Sequence, residues 1–160
     1  MSFYRDFNDK DAIADWNTGE RRPYQTITVT RLAPTIGAEI SGVDLSAPIA
    51  DEQLEEIRRA LDENLALIFR DQTLNTEQHK DFARRFGTLH RHELASNKVV
   101  AGAVPDPEIL GWKTGKESRF TAGDGWHADV SCDEFPIWGS QLRVTKTPGF
   151  GAGDSAFANM

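Results

Sequence analysis

Leu54, Ile57, Leu61 and Leu65 recur at three- and four-residue intervals through "DEQLEEIRRALDEN" and just past its end, and every residue between them is polar or alanine. That spacing puts four apolar side chains on one face of an α-helix, a face that must be buried to be stable. It predicts an amphipathic helix over 51–64 with Asp51 as its N-cap. Upstream, "TITVTRL" (26–32) alternates Ile27 and Val29 with threonines, the two-residue period of a half-buried strand. Downstream, "LALIFR" (65–70) suits a short buried strand, and "LNTEQHKDFARRFG" (74–87) suits a second helix. In that helix Asn75 and Gln78 fit a capping box, Phe82 and Phe86 share a face, and Gly87 offers a left-handed stop.

Beyond Gly87 the pattern changes. "NKVVAGAV" (97–104), "GSQLRVTKT" (139–147) and "SAFANM" (155–160) are short strand candidates, separated by the Pro/Gly segments "PDPE" and "TPGFGAGD". Helices early and strands late predict an α+β protein with a strand-built site. Residues 1–24 are polar and unpatterned and are expected to be a loosely attached lead-in, with the domain running over 25–160. "SAFANM" reads as a strand with no turn or polar tail after it, so the chain is expected to be the front part of a larger domain.

Composition limits the function. The chain has 160 residues, 39% hydrophobic and 27% charged, which fits a globular protein. Its 25 acidic and 18 basic residues give a charge of −7 with no Lys/Arg block, which argues against nucleic acid as a partner. The longest clear apolar run, "LALIF" (65–69), is far too short for a membrane span or a signal core, so no membrane association is expected. A single cysteine, Cys132, can form no internal disulfide and no thiolate cage. It is expected to be a small buried residue in a reducing, cytoplasmic protein.

Two pairs of side chains could hold a metal. In "GDGWHADVSCDEFP" (123–136), His127 and Asp129 would share one side of a strand and aim an imidazole and a carboxylate at one point. Chance alone supplies roughly 0.35 His-x-Asp matches in such a composition, so the spacing is weak evidence beside a salt-bridged surface pair. In "LHRHE" (89–93), His90 and His92 also share a face, but they follow the Gly87 stop, where polar residues commonly cover a turn. Spacing leaves both pairs open. His79 is expected on the surface of the second helix. "GFGAGD" (149–154) lacks the Lys-Ser/Thr of a phosphate loop, and no Gly-x-Ser-x-Gly elbow occurs.

The order of several stretches is more specific than either pair. "IGAEISGVDLS", "LIFRDQTLNTEQHKDFARRFGTLHRH", "GWHADVSCDEFP", "GSQLRVTKTP" and "GAGDSAFANM" together resemble the amino-terminal part of the taurine dioxygenase (TauD/TfdA) family of iron(II)- and 2-oxoglutarate-dependent oxygenases, from about residue 26 to the end. The resemblance implies a double-stranded β-helix (jelly-roll, cupin-like) core with flanking helices, incomplete in this chain. It assigns His127 and Asp129 to the facial 2-His-1-carboxylate iron site, with no catalytic residue beyond the metal ligands. It gives Ser155 a hydrogen bond to 2-oxoglutarate and places His92 and Val130 beside the substrate. Gly123 stands where taurine-using members carry a polar side chain, which points away from taurine. The third ligand, a histidine, and an arginine for 2-oxoglutarate are expected beyond Met160.

The activity so implied is hydroxylation of a small organic acid (a sulfonate, a sulfate ester, or an aryloxy or alkyl acid) using O2, with 2-oxoglutarate decarboxylated to succinate and CO2. The family association also implies a homo-oligomer, a dimer or tetramer. The alternative is a catalytically incomplete piece acting as a binding domain through an exposed sheet edge.

Overall fold

In the computed structural model, residues 22–92, 106–111, 115, 118, 123, 125–149 and 154–159 are described. Three strands and two helices run in the order β1 (Thr28–Arg31), β2 (Ala38–Ser41), α1 (Asp51–Asn64), β3 (Leu67–Phe69) and α2 (Thr76–Arg84). The chain divides into two compact units, one comprising 1–75 with 148–160 and the other comprising 76–147.

The first unit holds the sheet, in the order β1-β2-β3. β1 pairs antiparallel with β2, Val29 opposite Ile40, and β2 pairs parallel with β3, Ile40 opposite Phe69. A parallel pair needs a crossover, and α1 supplies it. Leu54, Ile57 and Ala60 of α1 are buried, as are Ile27, Ala38 and Ile40 of the sheet region. Leu65, expected on the same helical face, is instead the left-handed cap of α1 at φ 64 and is exposed. Its N–H donates to the Leu61 carbonyl at 2.6 Å, so its conformation ends the helix rather than extending the apolar stripe. At the other end the N-cap is Ala50, and Asp51 is the first helical residue, where a carboxylate favours the positive end of the helix dipole.

Glu56 is 6% exposed on α1, although the periodicity gave no reason to bury a carboxylate there. It accepts hydrogen bonds from the Gln25 N–H at 2.7 Å, the Thr26 N–H at 2.8 Å and the Thr26 hydroxyl at 2.8 Å. Burial alone would raise its pKa; the Thr26 and Gln25 hydrogen bonds and the Arg59 charge outweigh that and hold it down to about 2. Arg59 stacks 3.9 Å from the Tyr24 ring and donates to the Arg22 carbonyl at 2.6 Å. Tyr24 in turn donates to Glu63 at 2.9 Å. The last residues of the expected lead-in are therefore pinned to α1, while 1–21 lie outside the described residues.

The second unit begins with α2, whose first helical residue, Thr76, follows Asn75. The helix ends at Arg84, and the chain continues through bonds from Arg85 N–H to the Phe82 carbonyl and from Phe86 N–H to the Ala83 carbonyl, a tighter 3₁₀-type turn. Phe86 still packs edge-on to Phe82, ring centroids 5.2 Å apart. His79, expected on the helix surface, has its Nε2 buried, and burial followed by the Arg143 charge lowers its pKa.

Both helices lie where they were expected, but no late strand occurs among the described residues, whose three strands all precede residue 70. "GSQLRVTKT" forms no strand, and the described residues of "SAFANM" form none either. A strand is defined by its ladder, and no neighbouring strand among the described residues reaches them. "NKVVAGAV" lies outside the described residues. The α+β class therefore stands on a small mixed sheet with two helices. No helix among the described residues is long and apolar enough to cross a membrane.

Candidate metal centre

His127 and Asp129 lie in the second unit, and their side chains converge. His127 Nε2 is 3.1 Å from Asp129 Oδ1, with 53% and 47% of the two side chains exposed. The convergence does not come from the strand expected here. Residues 126–128 are irregular, and Asp129 and Val130 enter a turn closed by a hydrogen bond from the Asp133 N–H to the Val130 carbonyl at 3.2 Å. Val130 takes φ 52, a conformation that a β-branched residue avoids at a cost on the order of 1–3 kcal/mol. The turn, not strand alternation, bends Asp129 back toward His127.

Neighbours hold both groups on their far sides. His127 Nδ1 lies 2.8 Å from the Gly125 carbonyl, which can only accept, so Nδ1 carries the proton and Nε2 presents its lone pair. The Ser140 hydroxyl donates to Asp129 Oδ2 at 2.5 Å, leaving Oδ1 for the side facing the imidazole. Gly123, at φ 86, lies against the ring, where a Cβ would fall 3.0 Å from His127 Cε1. Ser140 and Gly123 thus support the pair, and sequence reasoning found neither role. Ser140 is eleven residues from Asp129 and follows no periodicity.

An imidazole lone pair and a carboxylate oxygen at 3.1 Å repel each other unless a positive charge lies between or beside them. A proton supplies it in water: the Gly125 hydrogen bond first, with the Asp129 charge and hydrogen bond adding to it, raises the His127 pKa against the opposing effect of burial. A divalent cation would serve equally. Two ligands at right angles, each roughly 2.1 Å from an octahedral metal, stand about 3 Å apart, close to the observed spacing. The donor set, nitrogen plus carboxylate oxygen with each ligand oriented by a hydrogen bond, fits a non-haem iron site. No group of three or more His, Cys, Asp or Glu able to hold a metal occurs among the described residues.

The other predicted residues are placed as follows. His90 and His92 pack edge to face with ring centroids 4.7 Å apart, and His90 Nδ1 is 3.8 Å from Asp133 Oδ2, in the turn that follows Asp129. Burial, then the His90 charge, lowers the His92 pKa. Val130 sits in the same turn and is half-buried. The structure therefore brings His127, Asp129 and Ser140 together and ties the His90/His92 pair to the adjacent turn. Ser155 is exposed and belongs to the first unit. Cys132, expected to be buried, is exposed, because the turn carries it outward where a strand would have turned it toward a core.

The profile of the taurine catabolism dioxygenase TauD, TfdA family matches residues 28–160, and the chain belongs to that family. It is 26% identical over 146 residues to an alpha-ketoglutarate-dependent 2,4-dichlorophenoxyacetate dioxygenase of Cupriavidus pinatubonensis, covering 84% of this chain and 50% of that protein. It is 34% identical over 142 residues to an alkylsulfatase of Acinetobacter baylyi, covering 87% of this chain and 41% of that one. A crystal structure of a taurine dioxygenase from Burkholderia xenovorans, 35% identical, superposes on 49% of this chain and 28% of its own at a TM-score of 0.44. The chain spans half or less of the length of these curated relatives.

Proposed function

We propose that this chain is the iron-ligating front part of an iron(II)- and 2-oxoglutarate-dependent dioxygenase that hydroxylates a small organic acid. The observation that carries the reading is the pairing of His127 Nε2 with Asp129 Oδ1 at 3.1 Å, each group oriented from behind. When bound, iron with 2-oxoglutarate and O2 supplies the oxidising power for hydroxylation, coupled to decarboxylation to succinate and CO2. The protein's contribution is orientation. The Gly125 carbonyl keeps the imidazole in the tautomer that offers Nε2, and the Ser140 hydroxyl holds the carboxylate so that Oδ1 faces the same point.

Ser155 is assigned to a 2-oxoglutarate carboxylate, and His92 and Val130 to the substrate. Lowered in pKa and half-buried, His92 is neutral near pH 7 and can donate one N–H to an anionic oxygen. The relatives named for 2,4-dichlorophenoxyacetate and for alkyl sulfates support an organic anion as the substrate. The complete domain is a jelly roll, working as a cytoplasmic homo-oligomer. The test is an anaerobic titration of the longer protein, which carries the third histidine and the arginine expected beyond Met160, with Fe(II) followed by 2-oxoglutarate. A visible charge-transfer band that His127→Ala abolishes supports the reading, and absence of any band in the unaltered longer protein contradicts it.

One observation favours a binding role instead. Trp126, Phe135, Trp138, Leu142 and Val144 expose large apolar surface among the described residues. On that reading the chain takes up no metal and associates through this surface, which sedimentation with and without Fe(II) distinguishes.

A further inference from the structure

Lys80 is 8% exposed on α2 and meets three carboxylates: Asp106 at 2.8 Å, Glu108 at 3.0 Å and Glu77 at 3.2 Å. Glu77 belongs to the preceding turn of the same helix, but Asp106 is 26 residues away in sequence. Arg84, one turn further along, adds a second cation to Glu108 at 3.1 Å. The captured segment is itself shaped: Asp106 Oδ1 accepts the Glu108 N–H at 3.0 Å, and the Asp106 carbonyl accepts the Ile109 N–H at 3.1 Å. Pro107 therefore sits between two carboxylates held by one buried ammonium. Its carbonyl accepts the backbone N–H of His92 at 2.7 Å.

We propose that Lys80 is a positioning residue for His92: by gripping Asp106 and Glu108 on either side of Pro107, it fixes the carbonyl on which the His92 backbone hangs. The inference rests on the reading of His92 as a substrate contact. Three carboxylates converge on this point, and without the ammonium they repel one another. Asp106 then separates from α2, while Glu108 keeps only Arg84, and the Pro107 carbonyl shifts away from His92. The ring of His92 follows its backbone, and its edge-to-face contact with His90 loosens with it. Lys80 reaches the substrate only through this chain of contacts, so its loss misplaces a contact without removing a reacting group.

Amide hydrogen exchange at His92 tests the claim without catalysis. In Lys80→Met, exchange at His92 is expected to accelerate about tenfold, the loss of one well-made hydrogen bond, while the amides of α2 keep their protection. Lys80→Arg, which keeps a cation between the carboxylates, is expected to restore most of it. A merely structural salt bridge would raise exchange throughout the unit by a common factor, and that result, or unchanged exchange at His92, overturns the proposal. Should Lys80→Met lose its helical signal, the Asp106→Asn/Glu108→Gln double variant decides by the same readout. His92→Ala in the longer protein that includes the residues expected beyond Met160, assayed for stimulation of succinate formation by 2,4-dichlorophenoxyacetate or an alkyl sulfate, tests the underlying reading separately. An unaltered response there removes His92 from the substrate, whatever the exchange at its amide shows about Lys80.

Discussion

His127 Nε2 and Asp129 Oδ1 face each other at 3.1 Å while the far side of each group is already engaged, the imidazole with the Gly125 carbonyl and the carboxylate with the Ser140 hydroxyl. Two acceptors aimed at each other are stable only around a shared positive charge. The arrangement suits a shared cation, and a proton on the imidazole meets the same need.

Ser140 should matter in proportion to what it holds. Ser140→Ala frees Asp129 Oδ2, and a ligand that can rotate pays more entropy on binding. Mn(II) affinity, read from the loss of the free-ion EPR signal, is expected to fall about tenfold, the usual consequence of removing a partner that orients a metal ligand. Ser140→Thr keeps the hydroxyl and should stay near the starting affinity.

Gly123 is needed for want of a side chain. At φ 86, with a Cβ 3.0 Å from His127 Cε1, Gly123→Ala both strains the backbone and pushes the ring. Stability is expected to drop by about 1–2 kcal/mol in denaturant titration, and metal affinity should drop with it. Unchanged metal binding would show that the ring has room to retreat.

The pH dependence of metal binding follows from the raised pKa of His127, set first by the Gly125 hydrogen bond. A metal needs the neutral imidazole, so acid weakens binding. Affinity should rise through the pKa of His127, level off only above it, and lie displaced to higher pH than for an ordinary histidine. Calorimetry in buffers of different ionisation enthalpy should show proton release below that level and none above it.

Glu56 gives the opposite sign in stability. Its pKa is about 2 in the folded chain against 4.5 ordinarily, so its contribution is complete above 4.5 and is lost as pH falls from there toward 2. Glu56→Gln should lower stability at pH 7 and flatten the acid limb of a plot of denaturation midpoint against pH. An acid limb equally steep in the variant would place the titrating group elsewhere.

Helix α1 could be read from sequence because its apolar residues repeat with the helical period and no glycine or proline interrupts them. The same reading misplaced Leu65, since a left-handed cap looks like one more apolar position until the backbone is known. The alternation in Gln141, Leu142, Arg143 and Val144 suggests a strand, but alternation describes a surface and only a partner makes a ladder. At the candidate site, the His-x-Asp spacing suggested two side chains sharing one side of a strand, whereas they converge along irregular backbone that runs into a turn with Val130 at φ 52. Ser140, Gly123 and the grip of Lys80 on Asp106 were out of reach, because each is a contact between distant residues or a close approach that leaves no periodic trace.

The most direct test is Mn(II) binding followed by EPR at pH 7.5 in the unaltered chain, in His127→Ala and in Asp129→Ala. A single Mn(II) per chain is expected, weakened at least about tenfold by either substitution. Equal Mn(II) binding by all three proteins would mean that these two side chains hold no metal.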